Sequence, residues 1–266
     1  MGLLRERERR AAREDVNKCI ERVLKDESGR RMKQAAIHRQ WHAHIAYCRA
    51  IGKRPLIIAP WGHGKTVQLV VGRTLFELGQ DRNQRIGIVC NADSNARKRV
   101  TAIKDYIARD ADFRWVFPEV VPDRKAGWGK EEFFVERDPG ARSIDPSVFS
   151  AGVFSTGIGG RVDGLVFDDP VDLRNAITMP KLRGTVIEII KNVWMSRLEP
   201  HGWMLYVATV WHPDDCTHHL LRDPEVRGKY CALIQRVSDD YSEIECYLVG
   251  GEEGVEYPVV DATVGT

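Results

Sequence analysis

Ala59-Pro60-Trp61-Gly62-His63-Gly64-Lys65-Thr66 is the stretch on which the reading of the whole chain turns. It follows the pattern G-x-x-x-x-G-K-S/T, with Ala59 in the first glycine position. The spacing has a physical reason. Glycine lets the backbone turn so that successive N–H groups point inward at phosphate oxygens. The lysine that follows reaches the outer phosphates, and the next hydroxyl coordinates a divalent cation. A helix starting there adds the positive end of its dipole. The flanks agree. Pro55-Leu-Ile-Ile-Ala59 is a short apolar run of the buried parallel-strand kind, and a helical pattern runs from Lys65 to about Leu78. Pro60, Trp61, Gly62, His63, Gly64, Lys65 and Thr66 are the candidate nucleotide-binding residues.

Such a loop needs a second strand ending in a carboxylate, and Leu165-Val-Phe-Asp168-Asp169-Pro170 supplies one. Asp168 falls at the carboxyl end of that strand, where open α/β sheets bind their ligands. With Thr66 it is the candidate Mg²⁺ ligand, and Asp169 is the candidate base for an attacking water. Read alone, the same pair makes an Asx-turn before Pro170.

Outward from these two segments the chain alternates. Arg85–Cys90, Ser147–Phe154, Leu165–Phe167, Trp203–Ala208, Tyr230–Val237 and Glu245–Val249 read as strands. Helical stretches cover residues 3–27, 32–50, 94–109 and 180–198, with Asp93 or Ser94 capping the third. Residues 118–147 are irregular, with a short strand expected at Glu132–Glu136. Alternation of this kind argues for a mostly parallel α/β sheet flanked by helices.

Composition narrows the class. At 266 residues and 43% hydrophobic the chain buries a substantial core, and no apolar stretch is long enough for a membrane span. The charged start offers no secretory signal, and six scattered cysteines without a C-x-x-C pair argue for a reducing interior. Residues 238–266 hold eight carboxylates and no Lys or Arg. Taking those eight from 38 leaves 30 acidic against 40 basic residues, a net +10 on residues 1–237. The first 54 residues carry +8 of it, 15 basic against 7 acidic. A basic body attracts a polyanion by counterion release; the plainer reading is a solvated charged helix.

Two further segments stand out. Ser155-Thr-Gly-Ile-Gly-Gly-Arg161-Val-Asp163 reads as a glycine-rich loop beside the phosphate end of the sheet. Arg161 there is a candidate for neutralising transition-state charge, in its own site or a neighbour's. An Arg161–Asp163 surface pair is the alternative. Leu205-Tyr-Val-Ala-Thr209-Val-Trp211-His212-Pro-Asp214-Asp215 ends a strand on a hydroxyl residue placed to sense the γ-phosphate, or is an ordinary strand end with Trp211 in the core and Asp214 capping a helix.

Taken in order, these segments resemble the ATPase domain of the large terminase subunit, the DNA-packaging motor of tailed bacteriophages. The resemblance rests on Ala59-Pro-x-Gly-His-Gly-Lys-Thr66, Gly160-Arg161-x-Asp163-x-x-x-x-Asp168-Asp169-Pro170, Ser196-Arg197-Leu-x-Pro200 and Ala208-Thr209-x-Trp211-His212-x-x-Asp215, and covers roughly residues 35–220. It implies an ASCE-type, RecA-like P-loop NTPase fold using ATP and Mg²⁺. Lys65 and Thr66 match the Walker A pair, Asp168 the Walker B carboxylate and Thr209 the coupling segment. Arg161 matches an arginine acting in trans on a neighbour's ATP, and Gln40 an adenine-contacting glutamine. The family often has a basic residue where Trp61 stands, which would shift phosphate contacts to Arg161 or Arg197, and a glutamate where Asp169 stands.

The implied setting is the host cytoplasm, on a procapsid and not retained in the virion. The implied partners are double-stranded DNA, a homo-oligomeric ring, the portal and a small terminase subunit, with no membrane. The division expected is a basic helical segment over 1–54 packing on the ATPase core, that core over 55–240 and an acidic tail over 241–266, too short for the family's nuclease domain and linker-like at Gly250-Gly-Glu-Glu-Gly254. Two other readings compete. One is a different P-loop DNA-dependent ATPase of helicase or recombination type. The other is a non-enzymatic DNA- or procapsid-binding module, for which Ala59 and Trp61 are the only support.

Overall fold

The computed structural model describes residues 2–155, 160–237 and 244–258. Loop residues 156–159 and the carboxylates Asp239, Asp240, Glu243 and Asp261 lie outside the described residues.

Eight strands form one sheet: β1 (Arg54–Ile58), β2 (Ile86–Cys90), β3 (Glu132–Phe133), β4 (Val148–Gly152), β5 (Val162–Asp168), β6 (Leu198–Ala208), β7 (Tyr230–Val237) and β8 (Ile244–Val249). Their spatial order is β3-β4-β2-β5-β6-β1-β7-β8. The six inner strands are mutually parallel, and β3 and β8 close the two edges antiparallel. In register, Asp168 at the end of β5 lies beside Cys90 of β2 and Val207 of β6, while Ile58 of β1 lies beside Ala208 of β6. The loop after β1 and the carboxylates after β5 therefore emerge at the same end of the sheet, with β6 between them.

Helices cover both faces: α1 (Gly2–Glu14), α2 (Val16–Val23), α3 (Ala36–Ala50), α4 (Arg73–Gln80), α5 (Asp93–Arg109), α6 (Ala111–Val116), α7 (Leu182–Glu188) and α8 (Cys216–Arg222). The period-2 alternation of the strands decides which side chains meet which layer. Ile88 and Val166 face α2, α4 and α5 through Ile20, Leu24, Leu75 and Val100. Val89, Leu165 and Phe167 face the opposite way, toward Val186, Ile190, Trp194 and Leu220. Trp41 and Ile45 of α3 cover Ile57, Leu205 and Val207. The inner strands are buried on both sides, which is why they read as continuous apolar runs. Gly164 is a place where no side chain fits: a Cβ there would stand 2.4 Å from the Trp203 indole.

The far end of the sheet is tied by one arginine. Arg85, just ahead of β2, donates to Asp163 (2.9 and 2.8 Å) and Glu199 (2.9 Å), and contacts Asp145 at 3.4 Å. It joins the starts of β5 and β6 and the loop before β4.

The structure departs from the sequence reading at several points. The expected helix over residues 3–27 breaks at Asp15, whose backbone is extended and whose carboxylate accepts from Asn17 N–H. Within the first 54 residues, Cys19, Ile20, Val23 and Leu24 belong to the main core. Part of the charge of this segment is paired: Arg13 with Glu119, Lys25 with Asp110, and Arg22 and Arg31 with Asp112. The strand expected at residues 132–136 shrinks to two residues, since Val135 N–H turns to the Ser147 hydroxyl. The helix over 180–198 is α7 followed by a π-helical turn (Ile189–Trp194) and a 3₁₀ turn (Met195–Arg197), and β6 starts already at Leu198. Trp211 is half-exposed rather than in the core, and Asp215, not Asp214, caps α8 by accepting from His218 N–H.

The C-terminal boundary also moves. A division at residue 241 cuts the β7–β8 hairpin, and Gly250–Gly254 is anchored rather than linker-like. Lys53 Nζ donates to Gly250 O (2.9 Å), Glu252 N–H donates to the Tyr47 hydroxyl (3.0 Å), and Tyr257 packs edge-on to Tyr47.

Candidate nucleotide site

Gly62 and Gly64 sit at φ of +86° and +77°, the left-handed region that favours glycine. A Cβ on Gly64 would still clear its neighbours, the nearest being His38 Nε2 at 3.9 Å, so conformation rather than space demands glycine there. His38 Nε2 lies 3.1 Å from His63 O, tying α3 to the loop. Lys65 folds back into the loop: its Nζ donates to Ala59 O (2.6 Å), Pro60 O (2.9 Å) and Thr209 Oγ1 (3.0 Å). Burial pulls the Lys65 pKa below its ordinary value, opposed by the nearby charges of Asp169 and Asp168. Trp61 projects outward, 87% exposed. The helix leaving the loop opens with a π-helical stretch, Thr66–Gly72, before α4.

Across the loop, the Thr66 hydroxyl donates to Asp168, at 3.3 and 3.2 Å from its two carboxylate oxygens. Asp168 is sealed from solvent, and burial raises its pKa even though Arg99 opposes the shift. Arg99 Nε donates to Asp168 Oδ2 at 2.8 Å. Sequence reading missed this arginine. It belongs to α5, the helix that leaves the end of β2, and it falls three residues after buried Ala96 and beside buried Val100. A cation at a core-facing helical position, on the helix that follows the strand paired with the acidic one, was the available signal.

Asp169 has φ of +45°, the one described non-glycine residue with positive φ. That backbone holds its N–H on Val207 O (2.9 Å) and its Oδ1 on Thr209 N–H (2.7 Å). Lys65, Thr66, Asp168, Asp169 and Thr209 are therefore brought together at the carboxyl ends of β1, β5 and β6.

Two candidates, Arg161 and Arg197, are not. Arg161 precedes β5, so a whole strand of about 20 Å separates it from Asp168. It pairs with Glu199 at 3.6 Å, not with Asp163, which belongs to Arg85. The expectation that this arginine lies beside the phosphate end of its own site is thereby corrected. Arg197 immediately precedes β6 at the same far end, its guanidinium 5.8 Å from the Trp194 ring centroid. The direction of the strands, unlike their existence, sets which end a flanking residue occupies. Gln40 is buried, and its amide nitrogen donates to the Tyr257 hydroxyl (3.0 Å) and Pro258 O (2.8 Å) of the C-terminal segment.

The donor set suits a hard divalent cation, which takes oxygen ligands: a threonine hydroxyl and a carboxylate within hydrogen-bonding distance of each other, beside a lysine. His44, Cys48 and Cys231 also cluster, their donor atoms within 4.8 Å of one another. There both ring nitrogens of His44 are already engaged, Nε2 with Cys231 O and Nδ1 with the Tyr257 hydroxyl. That cluster is a satisfied core contact.

A parallel sheet with a strand inserted between the phosphate-loop strand and the acidic strand, and with lysine, hydroxyl and carboxylates at one end, is the P-loop NTPase fold. Comparison with solved structures narrows it further. The chain aligns with the large terminase of bacteriophage HK97 at a TM-score of 0.52 and 16% identity, over 79% of this chain and 40% of the HK97 chain. It also aligns with an ATPase-domain mutant of the large terminase of Thermus phage P74-26, at 16% identity and a TM-score of 0.35, over 63% of this chain and 64% of that one. No family model and no curated protein matches the sequence. The fold is shared with the HK97 large terminase, and this chain spans less than half the length of that protein.

Proposed function

We propose that this chain is the ATP-hydrolysing motor domain of a viral DNA-packaging terminase, translocating double-stranded DNA into a procapsid. The observation that carries the reading is the convergence of Lys65, Thr66, Asp168, Asp169 and Thr209 at the ends of three parallel strands. On nucleotide binding Lys65 exchanges the carbonyls of Ala59 and Pro60 for the β- and γ-phosphate oxygens. Thr66 Oγ1 and Asp168 would hold Mg²⁺, which would supply neutralisation of phosphate charge. Asp169 keeps one carboxylate oxygen on Thr209 N–H and offers the other to the attacking water as general base. Thr209, bound to both Lys65 and Asp169, transmits the state of the phosphates to β6.

The remaining elements of the reading follow from it: DNA contacted through phosphates, assembly as a ring at the portal of a procapsid, and a small terminase subunit that selects the DNA, all in the host cytoplasm. Arg161 and Arg197, at the far end of the sheet, act on nothing in their own site; a role for Arg161 is one across a subunit interface. The test is steady-state ATP hydrolysis with Mg²⁺, with and without DNA, for wild type and Lys65→Ala. Wild-type turnover that falls at least a hundredfold in the variant is expected; turnover that survives the substitution removes the proposed site.

A further inference from the structure

We propose that Arg99 is a positioning residue that keeps Asp168 paired until a divalent cation takes the carboxylate over. The inference rests on the ATPase reading, because it concerns the same metal ligand.

Asp168 is fully buried while the Arg99 side chain remains 22% exposed. A buried carboxylate is tolerated only when paired or bound to a metal. Without the metal, something of positive charge must hold Asp168, and three cationic or donor groups stand near it. Lys65 is committed to two carbonyls and the Thr209 hydroxyl. Thr66 donates a neutral hydrogen bond. Arg99 alone among the described residues makes an ion pair with it. It does so through Nε, and neither Nη group donates to another described residue.

Guanidinium and divalent cation therefore compete for Asp168, and Thr66 fixes where the cation enters. The backbone of α5 does not have to move. Its start is pinned where Asp93 Oδ1 accepts from Gly152 N–H and Ser155 Oγ, both at 2.6 Å. Rotation of the Arg99 side chain is enough to free the carboxylate.

Competition makes a prediction opposite in sign to that of a supporting contact. In nucleotide-free protein, Mn²⁺ binding followed by the spectrum of the free ion should be about tenfold tighter for Arg99→Gln than for wild type, and strongly weakened for Asp168→Asn. Arg99→Lys, which keeps the charge, should stay near wild type. A purely structural arginine would leave the affinity unchanged or lower it. In the wild-type protein, adding Mg²⁺ should shift the Arg99 Nε–H resonance, identified by its loss in Arg99→Lys; this readout stands even where Arg99→Gln does not fold. Equal or weaker Mn²⁺ binding by folded Arg99→Gln, or an Nε–H signal that stays put while Mg²⁺ binds, overturns the Arg99 role alone. Wild type and Asp168→Asn binding Mn²⁺ alike overturns the metal site, and the ATPase reading with it.

Discussion

The Lys65 ammonium donates to the Thr209 hydroxyl at 3.0 Å, linking the phosphate loop to the end of β6. Thr209→Val keeps the shape and the backbone N–H that binds Asp169 but deletes that link. A hydrogen bond to a charged group contributes roughly 1.5–3 kcal/mol, so turnover should drop about ten- to a hundredfold. Nucleotide affinity should change less, because Lys65 itself and the phosphate loop are left intact. Phosphate release and binding of a fluorescent ATP analogue, measured on the same preparation, check the split.

Asp169→Asn separates placement from proton transfer. The amide oxygen still accepts from Thr209 N–H, and asparagine tolerates the +45° φ of this position. Thermal stability should stay within about 0.5 kcal/mol of wild type, as for a surface change. Turnover should fall by roughly 10²–10⁴ if the carboxylate is the base. A variant that melts normally and hydrolyses normally would assign the base to another group.

Acid stability should depend on Asp163. Burial opposes its ionisation, yet hydrogen bonds and charge from Arg85 hold its pKa below the ordinary 3.8. A depressed folded-state pKa stabilises the protein above the unfolded value, and that stability is lost as pH falls through the folded one. Asp163→Asn should therefore cost a constant amount near neutral pH, about 1 kcal/mol once solvent screening at a one-third exposed side chain is allowed for. The difference from wild type should shrink below about pH 4. Denaturant melts from pH 7 down to pH 3 would show it, and a difference independent of pH would place the loss in packing instead.

Tyr257 holds the C-terminal segment to α3. Its hydroxyl accepts from Gln40 Nε2 and donates to His44 Nδ1, which burial keeps neutral by lowering the histidine pKa to about 4. Tyr257→Ala should destabilise by about 2 kcal/mol and Tyr257→Phe by about 1 kcal/mol. Limited proteolysis beyond residue 250 should accelerate in the same order. Equal cleavage in all three proteins would mean that β8, not Tyr257, anchors the segment.

Local pattern made much of the site legible. The phosphate loop and the acidic pair declare themselves because their chemistry forces residue types into fixed spacing, and Lys65, Thr66, Asp168 and Thr209 meet where that spacing implies. Arg161 and Arg197 were misplaced because a one-dimensional reading does not show that seven residues of extended chain carry the backbone from one end of the sheet to the other. Arg99 went unseen because its partner is 69 residues away and reached only through the β2–β5 pairing. The contacts of Gln40 with Tyr257 and Pro258 went unseen for the same kind of reason: they are more than 200 residues along the chain. The break at Asp15 was legible in principle, since aspartate caps helices readily, but a run of strong helix formers on both sides masked it.

The Arg85 junction has a practical consequence for anyone who wants to watch this protein work. It fastens the strand starts at the end of the sheet opposite Asp168, so upkeep of the scaffold and handling of nucleotide fall on separate poles. A dye, affinity tag or bead tether attached beside exposed Arg161 would sit roughly 20 Å from the carboxylates, a full strand's length away. Such a handle reports rotation or load while leaving the chain's own nucleotide pole untouched. The converse also holds: Trp61 and Val210 themselves already face solvent, so both can be varied in a screen for altered nucleotide preference while Gly62, Gly64, Lys65 and Thr209 are kept.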